Sequence, residues 1–221
     1  MRIAIALALS AVALPALAGP AEEERAMALQ LARRDGEEAE KRGDLAACAA
    51  AYLRAFDIDS RTIGDELLYN AGVCFAGDAE VDRALDAWRR LARLYPRSRL
   101  RPRALSRIGS LCVQVARYEE AAAAFEEYAD LYGGEKDAPD ALMEAARFRA
   151  ALRQTAHAVR LIDRWLRLGK RRKEDAAAAK AWIAALRAGP RPPPPTPQRL
   201  PERYDRRGVA GDILMTAPLA P

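Results

Sequence analysis

The sequence predicts an all-α fold built from repeated helix pairs. The main observation is that residues 67–96 and 104–133 carry the same pattern at a constant offset of 37 residues. A fixed period of this length is typical of a repeat array of helix–turn–helix units. Glycine and proline also separate the periodic apolar segments, as expected for short links between helices. The matching positions are Leu68/Leu105, Gly72/Gly109, Ala84/Ala121, Trp88/Phe125, Leu94/Leu131 and Tyr95/Tyr132.

The same pattern extends outward, forward by 37 residues and backward by 36, which predicts about four units. Small residues recur where two helices approach closely, and a large residue follows the second small one by one helical turn. We expect each large residue to pack as a knob into the next unit. The small residues are Gly36, Gly72, Gly109 and Ala146 on first helices, and Cys48, Ala84, Ala121 and Ala158 on second helices. The large residues are Tyr52, Trp88, Phe125 and Ile162.

These residues resemble the tetratricopeptide repeat over residues 32–170, most closely at 67–133. The resemblance implies a right-handed superhelix of about four repeats followed by a capping helix. The outer repeats depart from the family pattern at Ala32, Asp35 and Arg149, where large apolar or aromatic residues are usual. The links YPRSRLRPRAL and GGEKDAPDAL are similar to bacterial envelope members, including outer-membrane assembly, cell-division coordination and myxobacterial gliding-motility proteins.

Taken in order, nine helices are predicted, each between recognisable start and stop signals. Asp44 and Asp78 are predicted N-caps, Gly77 is suited to a left-handed helix end, and Pro102 and Pro139 fit first turns. Three further start signals are expected, namely Thr62 or Asp65, Ser98 and Asp137. The predicted helices span 21–42, 45–57, 65–76, 79–95, 102–115, 118–132, 139–152, 155–168 and 174–187.

Residues 1–18 are predicted to be a signal peptide rather than part of the fold. Arg2 precedes an apolar run that ends in the small-x-small site Ala16-Leu17-Ala18. The alternative is a retained membrane anchor, but about 16 apolar residues fall short of the ~20 that span a bilayer. Because no cysteine follows the cleavage site, a lipoprotein is not expected. We therefore expect export to the periplasm, with the repeat domain at 21–187.

Residues 188–221 are predicted to form a proline-rich disordered tail. The segment GPRPPPPTPQRLP cannot form a helix and favours an extended polyproline spacer. The alternative interpretation is a docking arm that presents residues 212–215 to a partner.

Composition and motifs argue against catalysis and against a dedicated nucleic-acid binder. The chain has 36 basic and 31 acidic residues, interspersed, with a net charge of +5. A nucleic-acid binder would concentrate its basic residues in one stripe. No phosphate loop, nucleophile elbow or metal motif is present, so neither enzyme activity nor a cofactor is expected. The single histidine, His157, is predicted to be a surface residue without a carboxylate partner, and Glu126 and Glu127 to face solvent.

Two arginine- and lysine-rich clusters lie at predicted links between repeats. They comprise Arg97, Arg99, Arg101, Arg103 and Arg107, and then residues 170–173. Charged links normally face water, which is the favoured interpretation. The alternative is attraction to an acidic partner, anionic lipid or wall polymer.

The three cysteines leave two interpretations open. Cys48 occupies a small-residue position, which favours a buried packing thiol. Export would allow a disulfide between two of Cys48, Cys74 and Cys112, but an odd count and the spacing alone do not identify a pair.

The resemblance implies that the first helices line a concave groove that binds a partner. Twelve positions face it by register, of which the predicted contacts are Glu66, Tyr69, Asn70, Arg103, Ser106, Arg107, Met143 and Arg147. The other four are Arg33, Glu37, Val73 and Ser110. Asn70 and Arg107 match residue types of the carboxylate clamp found in some members, and Arg33 and Arg103 stand where lysines are usual. Glu37 departs from the clamp, since it would repel a carboxylate, and a general peptide groove is favoured.

The function that this sequence predicts is a periplasmic scaffold that binds a segment of another envelope protein. The alternative is a structural subunit of a trans-envelope machine, held by its edges and its proline-rich tail.

Overall fold

The computed structural model describes residues 19–168 and 172–189, and this part of the chain contains nine α-helices and no strand. The all-α prediction is confirmed, and the helix bounds agree with the predicted ones to within two residues. The predicted signal peptide lies outside the described residues, and so does the predicted tail from residue 190 onward. Ala188, the predicted first residue of the tail, is instead the last residue of α9. The helices are α1 (Pro20–Arg42), α2 (Leu45–Ile58), α3 (Gly64–Gly77), α4 (Val81–Leu94), α5 (Arg101–Gln114), α6 (Tyr118–Leu131), α7 (Ala138–Ala151), α8 (Thr155–Arg167) and α9 (Lys173–Ala188).

The helices pack in sequence order, each mainly against the helices before and after it. Four pairs, α1/α2, α3/α4, α5/α6 and α7/α8, are joined by turns of two or three residues, and α9 packs on α8. Such short connections make neighbouring helices antiparallel. The result is a solenoid in which each repeat buries its apolar face against its neighbours.

The turn inside each helix pair has the same conformation in all four repeats. Ala79, Ala116 and Arg153 have φ of 62°, 60° and 64°, and Gly43, at the same repeat position, has φ of 74°. In each turn the next residue donates its N–H five residues back, as from Arg117 to the Cys112 carbonyl at 2.8 Å. The prediction that Gly77 takes the left-handed position is therefore wrong. Ala79 does so instead, because the repeat geometry overrides its intrinsic preference.

Several predicted helix starts are also corrected, whereas Asp44 does cap α2 by accepting from the Ala47 N–H at 3.1 Å. Helix α4 begins at Val81 after the left-handed turn, so Asp78 is not its cap. The Ser98 hydroxyl instead donates to Asp65, which joins the link before α5 to the first turn of α3. No side-chain cap hydrogen bond forms at the N-termini of α3 and α7, so Thr62, Asp65 and Asp137 do not cap them.

Replacing Ala116 by glycine is expected to raise the free energy of unfolding by about 1 kcal/mol. A residue with a Cβ is strained in the left-handed region, and glycine removes that strain. Chemical denaturation followed by circular dichroism measures the change. The control is Ala50→Gly, at an exposed site inside α2, which should lower stability by about 1 kcal/mol. A lower free energy of unfolding for both variants would contradict the left-handed conformation of Ala116.

The large aromatic residues of the pattern pack against the glycine of their own repeat, and Phe125 also packs on the next repeat as predicted, with its ring centroid 6.3 Å from that of Phe148. A Cβ placed on Gly72 would lie 2.3 Å from the indole Nε1 of Trp88. The corresponding distance from Gly109 to the Phe125 ring is 2.6 Å. The Trp88 ring is held there because its Nε1 donates to the Tyr69 carbonyl at 3.1 Å. The small residue on the first helix is therefore the socket for the large residue on its own second helix.

A disulfide joins Cys48 in α2 to Cys74 in α3, with their Cα atoms 6.0 Å apart. Both residues are buried, so the bond lies inside the interface between the first and second repeats. The interpretation of Cys48 as a packing thiol is wrong, because the repeat stacking brings the two side chains together across the interface. Cys112 is a buried free thiol.

The outer face of α1 explains why the first repeat departs from the pattern. Leu31, Asp35 and Glu38 stand at the positions of residues 67, 71 and 74, which are buried against the preceding repeat. No described helix precedes α1. Ion pairs therefore replace apolar packing there, with Asp35 3.6 Å from Arg54 and Glu38 2.7 Å from Arg34. Charged groups on this face are typical of the end of a solenoid.

Candidate binding surface

The eight predicted contact residues lie on one face of the solenoid, contributed by three first helices. Helix α3 carries Glu66, Tyr69 and Asn70, α5 carries Arg103, Ser106 and Arg107, and α7 carries Met143 and Arg147. Every one of them is exposed or half-buried, whereas Leu68, Leu105 and Leu142 on the same helices are at most 2% exposed. The structure thus separates a core side from an accessible side on each first helix.

Repeat-equivalent positions make this accessible face continuous from α1 to α7. Each of three rows contains one residue per first helix, and all twelve residues are exposed or half-buried. The rows are Arg33/Tyr69/Ser106/Met143, Arg34/Asn70/Arg107/Glu144 and Glu37/Val73/Ser110/Arg147. We call these twelve residues, together with Glu66 and Arg103 one turn earlier on α3 and α5, the first-helix face.

The floor of the first-helix face is partly apolar. Tyr69 and Val73 pack against the main core, and Met143 packs against the smaller core formed by the last helices. Each of these side chains is half-buried, so part of it stays accessible to a ligand. Tyr69 and Met143, which are predicted as apolar contacts, therefore keep part of their side chains accessible.

Acidic side chains stand at both ends of the first-helix face. Glu66 accepts from Arg33 at 3.4 Å, which links α1 to α3. Glu144 accepts from Arg147 at 2.5 Å. Burial raises the pKa of the Glu144 carboxyl, and the charge of Arg147 opposes that rise. Between these two pairs, α5 contributes Arg103, so the middle of the face is basic.

Sequence reasoning missed Glu144 as a member of this face. The signal that could have found it is the offset of 37 residues, because Glu144 follows Asn70 and Arg107 in the same row. Glu144 weakens the case for a carboxylate clamp, because it forms an ion pair with Arg147. Glu66 likewise forms an ion pair with Arg33. A ligand carboxylate would have to displace those groups at either end, and only the basic middle would receive it directly.

A buried ionic cluster joins α6, α7 and α8 away from this face. Glu126 accepts from Arg149 Nε at 2.6 Å and lies 2.9 Å from His157 Nε2. Arg149 is 9% exposed and also donates to the Gln154 side chain at 2.9 Å. The predictions that His157 lacks a carboxylate partner and that Glu126 faces solvent are therefore wrong. The three residues are far apart in sequence, and only the stacking of repeats three and four brings them together.

Glu126→Gln is expected to lower the free energy of unfolding by about 1.5 kcal/mol. The change removes the charge that faces the buried Arg149 guanidinium, and hydrogen bonds to charged groups are worth about 1.5–3 kcal/mol. Urea denaturation provides the measurement. The control is Glu135→Gln, at an exposed site in the link before α7, with an expected change below about 0.5 kcal/mol. Equal changes in the free energy of unfolding for the two variants would show that the cluster does not stabilise the fold.

Comparison with solved structures connects this architecture to known proteins. The crystal structure of the MamA protein, a tetratricopeptide-repeat protein, superposes with a TM-score of 0.51 at 15% identity. The match covers 74% of this chain and 82% of MamA. This chain has the tetratricopeptide-repeat fold.

Two further structures are similar. A double mutant of MamA from RS-1 gives a TM-score of 0.48 at 15% identity, covering 73% of this chain and 95% of that one. PilF of Pseudomonas aeruginosa gives 0.40 at 19% identity, covering 76% and 94%. No protein-family model matches the sequence, and no curated protein matches it.

The described residues contain no group of three or more histidine, cysteine, aspartate or glutamate side chains arranged to hold a metal ion. None of the helices within 19–168 and 172–189 is both long and apolar enough to cross a bilayer.

Proposed function

We propose that this protein is a non-catalytic scaffold of the periplasm that binds a segment of another envelope protein in its concave groove. The observation that carries the proposal is the continuous first-helix face, whose residues all remain exposed or half-buried. Solenoids use such extended concave surfaces to bind other proteins.

The character of the groove indicates what the bound segment looks like. Tyr69 and Met143 offer apolar contacts, and Ser106 lies between them on α5. Arg103 and Arg107 lie on the same helix, where guanidinium groups can bind carboxylates in a bidentate manner. The favoured ligand is an extended or helical peptide with apolar side chains at its ends and an acidic residue near its middle.

Two observations support the periplasmic location. The first 18 residues have the charge, apolar run and cleavage site of a signal peptide. The disulfide between Cys48 and Cys74 fits an oxidising compartment, because cytosolic proteins keep their thiols reduced. Cell fractionation tests this part, and recovery of the protein only in the cytoplasm with the first residues retained would refute it.

A crosslinking pull-down from the periplasmic fraction tests the groove. Wild-type protein is compared with Arg103→Glu/Arg107→Glu, which reverses the charge in the middle of the first-helix face. The control is Arg160→Glu/Arg167→Glu, which makes the same charge change on exposed sites of α8. We expect the first variant to lose the partner and the control to retain it.

Retention of the partner by both variants would show that the groove is not the binding site. Deleting residues 190–221 then separates the remaining possibilities. A partner lost only on this deletion would support the alternative function, a structural subunit tethered by its tail.

A further inference from the structure

The outer face of the solenoid contains a pocket between the second helices α4 and α6. Its volume is about 400 Å³, and α5 forms its floor. Arg89 and Arg93 from α4, Arg101 from α5, and Glu120 and Glu127 from α6 surround an apolar interior of alanine, leucine and isoleucine side chains. This pocket lies outside the first-helix face, since none of its lining residues belongs to the three rows defined above.

Comparison with the other repeat interfaces shows why the pocket is open. Between repeats one and two, the Phe56 ring fills the corresponding space and packs over Gly64, 3.2 Å from the site of its missing Cβ. Between repeats two and three, Ala92 stands in the place of the ring and Arg101 in the place of the glycine. The exchange removes a large apolar group and introduces a guanidinium.

The next interface is filled in a different way. Between repeats three and four, Leu161 stands where the pocket has Ala124, and Arg164 donates across the interface to the Ala129 carbonyl at 3.0 Å. The interface between repeats two and three therefore has alanine at both positions, Ala92 and Ala124. Each of the other two interfaces has a large side chain at one of them, Phe56 or Leu161. The pocket is therefore specific to the interface between repeats two and three.

The pocket lies in the most basic part of the described chain. Residues 87–118 contain nine arginines and no acidic residue. Arg89 pairs with Glu120, and Arg101 with Glu127 at 3.1 Å, but the exposed Arg93 has no ion-pair partner among the described residues. The Arg101 Nε is buried without any hydrogen-bond acceptor in the described part of the protein. Buried donors are nearly always satisfied, so a missing acceptor is informative.

Exposed leucines stand at the ends of the two helices that form the pocket walls. Leu94 follows Arg93 at the end of α4 and is 50% exposed, and Leu131 lies one turn beyond Glu127 on α6 and is 47% exposed. They occupy the same position of successive repeats, offset by 37 residues. Large aliphatic side chains exposed in this way extend the apolar surface beyond the pocket.

From these observations we infer that the outer face carries a second protein-binding site, which takes an acidic peptide segment. An aliphatic side chain of the segment enters the pocket between Ala92 and Ala124, and a neighbouring carboxylate binds Arg93 and supplies an acceptor to Arg101. The ligand is a discrete peptide and not an anionic membrane surface, because α6 carries five acidic residues and no basic one, and two of the five, Glu120 and Glu127, line the pocket. An extended anionic surface would be repelled there, whereas a peptide can place its few charges over α4.

The test uses a defined probe, the peptide acetyl-Leu-Glu-Glu-Leu-Glu-amide, titrated into ¹⁵N-labelled protein. We expect saturable chemical-shift changes at the amides of 89–93 and 123–127. The same peptide with glutamine in place of glutamate should bind about tenfold more weakly, since only the charged form can pair with Arg93. Absence of any saturable shift up to about 5 mM peptide would overturn the inference.

Two variants address the two halves of the site. Ala124→Leu fills the pocket with the residue that the next interface uses, and Arg93→Glu reverses the free charge without touching the core. Each should weaken peptide binding by about tenfold. The matched control is Arg160→Glu, which changes the net charge equally on α8 and should bind as wild type. Circular dichroism confirms that each variant remains folded.

Two outcomes would overturn the inference in favour of other sites. Loss of the shifts in Arg103→Glu with retention in Arg93→Glu would place the peptide in the concave groove. Sedimentation with phosphatidylglycerol vesicles that is lost in Arg93→Glu and kept in Ala124→Leu, without peptide binding, would identify a lipid-binding surface. Because the outer-pocket variants leave the first-helix face unchanged, failure here is distinguishable from failure of the groove.

Discussion

Replacing Cys48 and Cys74 together by alanine is expected to lower the free energy of unfolding by about 3 kcal/mol. The disulfide closes a loop of 26 residues and restricts the unfolded chain, which is worth about 3.5 kcal/mol for a loop of this length. The bond also crosses the interface between repeats one and two. Since stability in a solenoid depends on neighbouring interfaces, the loss should concentrate in the first repeat. The corresponding fall in melting temperature is about 6–12 °C.

Three samples measure this effect by chemical denaturation, namely the oxidised wild type, the reduced wild type and the double variant. The last two should coincide, and limited proteolysis should cut first within α1 and α2. Cys112→Ala provides the control, because it leaves the disulfide intact. Equal stability of oxidised and reduced protein would contradict the proposed role of the bond.

Thiol counting checks the pairing itself. Burial raises the pKa of the Cys112 thiol to about 11, so at pH 8 only about one molecule in a thousand carries the reactive thiolate. Thiol counting on the folded protein should therefore detect essentially no reactive thiol. Denatured, unreduced protein should show one free thiol per chain.

Gly72→Ala is expected to lower the free energy of unfolding by about 2 kcal/mol. The new Cβ would lie 2.3–2.7 Å from three atoms of the Trp88 indole, which is 2% exposed and fixed by its bond to the Tyr69 carbonyl. Overpacking of this kind costs about 3 kcal/mol at the upper end of its range. The intrinsic preference of helices for alanine over glycine offsets about 1 kcal/mol of that.

Repeat four supplies a rescue for this variant, because Ala146 and Ile162 occupy the positions of Gly72 and Trp88 and both are fully buried. In a double-mutant cycle, Gly72→Ala and Trp88→Ile should therefore be less destabilising together than the sum of their separate effects, by at least about 1 kcal/mol. Gly36→Ala is the milder control, since the nearest Tyr52 atom would be 3.1 Å away. Strictly additive effects would show that the two positions do not form one socket.

The sequence by itself determined the helices, their order and the accessible side of each first helix. A repeat of 37 residues specifies the same helix pair several times. The pattern at equivalent positions therefore corrects a wrong assignment at any one of them. This is why the eight predicted contact positions are all accessible on first helices, whereas details of the turns, such as Ala79 and Gly77, were misplaced. Turn geometry there is imposed by the packing of the pair and not by the residue alone.

Only the tertiary structure decided which distant side chains meet. It brought together Cys48 and Cys74, joined Glu126 to Arg149 and His157, and placed the large aromatic residues against the glycines of their own repeats. It also opened the pocket at Ala92 and Ala124, which a repeat pattern records only as two small residues. The physical reason is that periodicity specifies the face of a helix on which a residue lies. The contacts across that face depend on how neighbouring repeats stack, and stacking is a property of the whole array.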